Sequence, residues 1–288
     1  MPSFEIPEVD FSRYSNRQLA SVPLALIALA LVVLVAWTVV FGHPVTPGFE
    51  FTGGTEITVQ AAGGQPAIQQ AFSAEITSIQ PVRSQADTYI VTFQSTNLEQ
   101  LTQSANAAFG AENVLSKQSV SPSFGASAQQ TAVFGLGVAF AGMAIVVFAL
   151  FRTLVPSGAV VVSALGDILV PMALMNVFGI KLSLGTVAAL LMLIGYSVDS
   201  DILLTNHVLR RSGGFYESVD RAMKTGVTMT VTSLCAMAVM AVVAYLFGID
   251  LMASIGIILV FGLATDLVNT YMLNLSLLRW YKYEGVAR

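Results

Sequence analysis

The sequence predicts a polytopic α-helical membrane protein. It has six transmembrane helices and an external α+β domain of ferredoxin-like pattern between the first and second. Three observations lead there. Of the 288 residues, 10% are charged and 55% hydrophobic, where a soluble protein carries roughly 25% charged residues. Six stretches come near or exceed the about 20 apolar residues that a helix needs to cross a hydrocarbon core. Between the first two of them lies a long region of different composition, rich in Gln, Ser, Thr and Ala.

Residues 1–23 are polar and carry Glu5, Glu8 and Asp10. Acids are the wrong flank for a cleavable signal peptide, so the apolar stretch 24–41 reads as a retained anchor. Residues 42–130 form the external domain. "GTEITVQ" alternates with period two and predicts a strand. "QPAIQQAFSA" places Ile68, Ala71 and Phe72 at helical spacing. "EITSIQPV" and "DTYIVTFQ" alternate again across a polar turn. "NLEQLTQSANAAFG" opens on Asn97 as an N-cap and closes on Gly110 as a C-cap. "ENVLSKQSVS" is a last strand. Strand–helix–strand–strand–helix–strand is the split βαβ pattern of ferredoxin-like domains.

Five more spans fall at 131–151, 158–178, 184–208, 227–247 and 251–278, a bundle over 131–278, with 279–288 as the C-terminal tail. The loop before the fifth span holds "GFYESVDRAMKTG", with Phe215, Val219 and Met223 on one face. It reads as an interfacial helix or a plain helical connector. Ten of the 13 basic residues fall on one side of the alternating spans, leaving Arg83, Lys117 and Lys181 on the other. The positive-inside rule then puts both termini in the cytoplasm and residues 42–130 outside.

Composition also excludes functions. A net charge of −4 with dispersed basic residues argues against nucleic-acid binding. One cysteine, Cys235, excludes an intramolecular disulfide and a thiolate metal cluster. His43 and His207 are far apart in sequence. No nucleotide or cofactor motif is present, and Gly53-Gly54 reads as a turn into a strand rather than a phosphate loop.

Four acids lie inside the spans: Asp167, Asp199, Asp201 and Asp266. A charged side chain at the bilayer centre costs at least about 2.5–3.5 kcal/mol on insertion scales, so such groups face protein or water and mark ion or proton pathways by default. The bland alternative is a hydrogen-bonded packing residue. No Lys or Arg lies within the spans as a partner. Burial without a cation favours a neutral carboxyl, which suits a proton carrier. Asp199 and Asp201 sit about 200° apart around a helix and share no face. Gly195 lies one turn before Asp199 and admits a close neighbour, which points Asp199 inward. Asp201 then looks to another neighbour, another subunit or solvent. Ser183, Thr186, Tyr196, Ser197, Thr228, Thr230, Thr232, Ser233, Asn269, Thr270 and Asn274 offer polar support.

These residues resemble the SecF family, the smaller partner in the SecD–SecF protein-export complex. "PGFEFTGGTE", with Gly48, Glu50, Phe51, Gly53, Gly54 and Thr55, is similar to the family's Gly-x-Asp-Phe-x-Gly-Gly-Thr signature, with Glu50 in place of Asp. "IGYS", with Gly195, Tyr196 and Ser197, is similar to the core of its fourth span. "GDI" matches a family aspartate at Asp167, and "AMKTGVTMTVTSL" resembles the entry to the fifth span. "VDSD" is closer to the Val-Asp-Ala-Asn of SecD than to the bacterial SecF pattern. Asp199 thus matches the SecD-type aspartate, and the chain looks like the archaeal type. The resemblance implies a half of an RND-type transporter in the cell membrane, with no enzymatic activity. It implies SecD, the SecY/SecE-type Sec translocon, exported polypeptide and membrane lipid as partners. It also implies proton flow through Asp199, Asp201, Asp167 and Asp266, with Asp199 the preferred carrier and Asp201 turned toward SecD. Two rivals remain open: a stabiliser of SecD with no relay of its own, and an intramembrane aspartyl protease suggested by "ALGD".

Overall fold

Six helices carry the apolar stretches and cross the molecule in alternating directions. The computed structural model describes residues 11–82, 85–210 and 214–285. Glu5, Glu8, Asp10, Arg83, Arg211 and Arg288 lie outside these. Helix α1 runs Asn16–Phe41. It begins before the apolar stretch because Ser15 and Gln18 form a capping box: Gln18 N donates to Ser15 Oγ (3.3 Å) and Ser15 N to Gln18 Oε1 (2.9 Å). Beyond the α+β domain come α5 (Pro122–Phe151), α6 (Leu154–Phe178), α7 (Leu184–Arg210), α8 (Phe215–Leu246) and α9 (Asp250–Val268). Ser121 caps α5 and Pro122 opens it, so this helix starts nine residues before its apolar run.

The sixth span is not uniform. After α9 the backbone widens into a π-helical turn, Asn269–Asn274, before α10 (Leu275–Trp280) and a second π-turn, Tyr281–Gly285. The helix thus continues past residue 278. The stretch "GFYESVDRAMKTG" is neither an interfacial helix nor a separate connector. It forms the first turns of α8. Phe215, Val219, Ala222 and Met223 pack on Leu204, Val208, Tyr271 and Leu278. The apolar face expected on lipid is consumed by protein.

The α+β domain contains α2 (Phe49–Thr52), β1 (Gly54–Gln60), α3 (Gly64–Ala71), β2 (Ile76–Pro81), β3 (Thr88–Phe93), α4 (Leu98–Phe109) and β4 (Val114–Val120). The sheet order is β2-β3-β1-β4 with every neighbour antiparallel. This is the split βαβ arrangement. Asn97 caps α4 by accepting from Gln100 N at 3.1 Å. Ile57, Val59, Ile68, Val91, Phe93 and Leu101 form the core beneath α3 and α4. Because side chains alternate along a strand, the opposite face of β1 presents Glu56 and Thr58. Thr92 and Gln118 pair across from Glu56.

That polar face lies over the bundle. It roofs a cavity of about 700 Å³ whose floor is the α6–α7 and α8–α9 connections, around Lys181 and Asp250. The segment before β1 ties the domain down. Gly48 N donates to Leu182 O (2.7 Å), and Leu182 N donates to Thr46 O (2.8 Å). Gly53 and Gly54 have φ of 79° and 138°, and a Cβ on Gly53 would lie 2.8 Å from the Pro122 backbone. Only glycine fits that turn against the start of α5.

Within the bundle, α6, α7 and α9 are the most buried spans, while α1 and α5 are largely exposed. Two apolar clusters hold them. One includes Leu34, Ile168, Met175, Leu190, Ile194 and Leu259. The other includes Leu19, Leu204, Phe215, Leu275 and Leu278. Along α7 and α9 these clusters are separated by a layer of buried polar residues.

Candidate functional site: a carboxyl layer in the bundle core

Three of the four intramembrane acids meet in that layer. Asp167 on α6 and Asp201 on α7 are fully buried, and Asp266 on α9 is 1% exposed. Gly166 explains how α6 comes close enough: a Cβ there would lie 2.6 Å from Asn269 Nδ2. Asn269 Nδ2 instead donates to Asp167 Oδ1 at 2.7 Å, while Ser197 Oγ donates to Asp167 Oδ2 at 2.5 Å. The "GDI" and "IGYS" segments are thereby joined through one carboxyl.

Asp266 is held from α7. Ser200 Oγ lies 2.8 and 2.9 Å from its two oxygens. Thr270 then links the second acid to the third. Its Oγ1 is 2.8 Å from Asp201 Oδ1 and 3.2 Å from Asp266 Oδ1. A hydroxyl has one proton, so Thr270 donates to one of these carboxyls at a time. Asn274 Nδ2 donates to Asp201 Oδ1 at 2.8 Å. Among the described residues Asp201 Oδ2, Asn269 Oδ1 and Asn274 Oδ1 have no hydrogen-bond partner within bonding geometry.

The π-turn makes this set possible. Its wider turn, with i→i+5 bonding, buries Asn269, Thr270 and Asn274 together. Asn269 serves Asp167 while the other two serve Asp201. Such turns inside α-helices occur often at functional sites. Sequence spacing showed that these residues share a helical face with Asp266, but it carries no signal for a π-turn.

Asp199 is elsewhere, and here the structure corrects the sequence reading. Asp199 is exposed, as are Gly195 and Tyr196 on the same side of α7. A Cβ on Gly195 would meet nothing within 4 Å, so no helix of this chain presses there. The carboxylate of Asp199 has no hydrogen-bond partner among the described residues. Asp201, expected to face outward toward a partner, is the inward acid. The 200° separation was sound, but the assignment of faces was inverted. Ser200, between the two, was missed as a site residue although it contacts Asp266.

The signature before β1 serves a different place. Glu50 Oε2 accepts from Leu184 N at 2.6 Å, placing a carboxylate at the N-terminus of α7, where the helix dipole favours it. Phe51 and Thr55 are buried. Glu56, beside the cavity, has its carboxyl pKa raised above the ordinary range. Burial is the main cause, and Glu50 and Asp250 add to it while Lys181 opposes it. Among the described residues, no group of His, Cys, Asp and Glu is arranged to hold a metal ion.

Fold and site together define a multi-pass membrane protein with an added α+β domain and a polar layer at the heart of six spans. Comparison with known proteins gives the family. The family model for the C-terminal region of the protein export membrane proteins SecD/SecF matches residues 100–284. The chain is 60% identical to the protein-export membrane protein SecF of Haloferax volcanii, over the full length of both. It is 40% identical to the SecF of Methanolacinia petrolearia, over 96% of this chain and 97% of that one. Its fold matches the crystal structure of SecDF, a translocon-associated membrane protein, from Thermus thermophilus. The TM-score is 0.71 at 21% identity, covering 96% of this chain and 39% of that one. The chain therefore spans about two-fifths of that structure's length. It belongs to the SecD/SecF family of protein-export membrane proteins, which are not enzymes.

Proposed function

We propose that this chain is the SecF-like subunit of a SecD–SecF complex. In that role it assists export through a Sec translocon of the SecY/SecE type, coupling proton flow through Asp167, Asp199, Asp201 and Asp266 to movement of exported polypeptide. One observation carries the relay. Three carboxyls are buried within one hydrogen-bonded layer, and among the described residues none of them has a Lys or Arg partner. Removing an unbalanced charge from water is costly, so the charge of this layer is set by protons that arrive and leave.

Asp199 is the outward member of the set. It lies with Tyr196 and Met229 on the α7–α8 side, the face we assign to a water-lined seam with the SecD partner, while α1 and α5 face lipid. The cluster of basic side chains favours cytoplasmic termini. Arg279 reaches Asn16, Phe11 O and Tyr216, and Lys282 reaches Val208 O, so the start of α1, the end of α7, the start of α8 and the end of α10 share one end. The external domain then sits at the opposite membrane face, over the mouth of the bundle.

Each aspartate replaced singly by Asn, in cells depleted of the native protein, tests the relay. Export should fall by about a hundredfold or more for the three buried acids, the low side of what a positioned proton-transfer group contributes. A scaffold role is favoured by the dense hydrogen bonding of those same acids. That reading wins if all four variants export normally while the complex with its membrane partner still co-purifies.

A further inference from the structure

A notch of about 100 Å³ opens between α7 and α8 on the side that carries Asp199. A water occupies about 30 Å³ of liquid, so the notch has room for a short file of about three. Its wall is mostly apolar but carries four polar side chains that waters can pair with: Asp199, Ser200, Thr230 and Ser233. Gly226 keeps the floor open, and beneath it lies the hydroxyl of Tyr271, 2.1 Å from where a Cβ on Gly226 would stand.

Ser200 belongs to both the notch and the buried layer. It is 8% exposed and lines the notch. Its Oγ also lies within 2.9 Å of both Asp266 oxygens and 3.3 Å from Thr270 Oγ1. Thr270 in turn reaches Asp201. A continuous line of exchangeable groups therefore runs from the exposed acid side of α7 to the Asp201 carboxyl, whose Oδ1 accepts from Thr270. The backbone oxygen of Ser197, 2.9 Å from Ser200 Oγ, offers the hydroxyl a second resting direction.

We propose that the notch is a water-filled port and that Ser200 is the residue through which the buried carboxyls exchange protons with it. The proposal rests on the relay reading above. In the inward step the Ser200 O–H bond breaks as its proton passes to an Asp266 carboxylate oxygen. A new O–H bond forms on Oγ as a protonated notch water gives up a proton and returns to neutral water. One proton moves inward, and the serine ends neutral. Rotation of the hydroxyl restores the starting hydrogen bond.

The test uses the full-length chain with its co-purified membrane partner, reconstituted into vesicles under a pH gradient. Ser200→Ala should lower proton entry by about a hundredfold or more, whereas Ser200→Thr, which keeps the hydroxyl, should retain most of it. Separately, in a Cys235→Ala background, Ser233→Cys should react with a small hydrophilic thiol reagent in membranes. An inert Cys at 233, or normal proton entry in Ser200→Ala, overturns the port. If Asp266→Asn abolishes entry while Ser200→Ala does not, the relay stands and the port alone is wrong. If Asp266→Asn is silent as well, the relay itself has failed.

Discussion

A single methylene decides how closely α8 can approach the sixth span. At Gly226 an added Cβ would stand 2.1 Å from Tyr271 Oη but 3.5 Å from the ring carbon that carries it, an ordinary contact. That hydroxyl is buried without a hydrogen-bond partner. Gly226→Ala should therefore destabilise the protein by about 1–3 kcal/mol through overpacking. Tyr271→Phe in the same chain should restore it, since a helical Ala is about 1 kcal/mol better than Gly. Thermal unfolding of the two variants in detergent checks this. A Gly226→Ala chain as stable as the parent would show that α8 shifts freely.

The acids show what can and cannot be read from the chain at this scale. That Asp199 and Asp201 diverge follows from 100° per residue. Which of them turns inward depends on where the neighbouring helices lie, and a local pattern does not contain that. Gly195 looked like a site of close helix approach, yet its face is open in this chain, where a second protein is proposed to sit. Ser200 drew no notice because a serine beside two aspartates has no distinctive spacing. Only α9, arriving from 66 residues away, makes it a contact of Asp266.

At the scale of elements, the strands and helices of the external domain follow from alternation, caps and turn residues, all local signals. The ends of the spans follow less well. Hydropathy marks where lipid begins, whereas Ser15 and Ser121 mark where hydrogen bonding begins, and helices obey the second. The merging of "GFYESVDRAMKTG" into α8 has the same cause, since no residue between Phe215 and Leu246 breaks the helix.

The sheet adds a pH dependence at its polar face. Glu56 in β1 is held above its ordinary carboxyl range chiefly by burial. Between the unfolded value, near 4.5, and the higher folded value, the folded domain keeps a proton that the unfolded chain releases. Stability is thus fully present below about pH 4.5 and is lost as pH rises through the folded value. Acidification from neutral should raise the amide protection factors in β1, β3 and β4, beyond the intrinsic slowing of exchange in acid. Glu56→Gln should flatten that response and leave the domain as protected at neutral pH as the parent is in acid. Exchange rates in β1 with the same pH slope in both proteins would exclude Glu56 as the cause.

For the whole molecule, the placement of charge and the placement of the external domain lead to one arrangement in the membrane. Arg152, Arg221, Lys224, Arg279 and Lys282 gather at one end of the bundle, and Lys117 and Lys181 lie at the other, with the sheet. Positive residues are retained on the cytoplasmic side, which supports the proposal that the sheet lies outside. The junction through Gly48, Leu182 and Glu50 makes the domain an extension of α7 rather than a loose appendage. Movement of the sheet would therefore be felt at the N-terminus of the helix that carries Ser197, Ser200 and Asp201. Cysteines introduced one at a time in a Cys235→Ala background read this orientation directly. Gln103→Cys, exposed on α4, should react in intact cells with a membrane-impermeant thiol reagent. Glu217→Cys, exposed at the start of α8, should react only after the membrane is opened. Its loss of the exposed Arg221 pair costs little. The reverse pattern would place the sheet in the cytoplasm and remove it from the side where exported chains emerge.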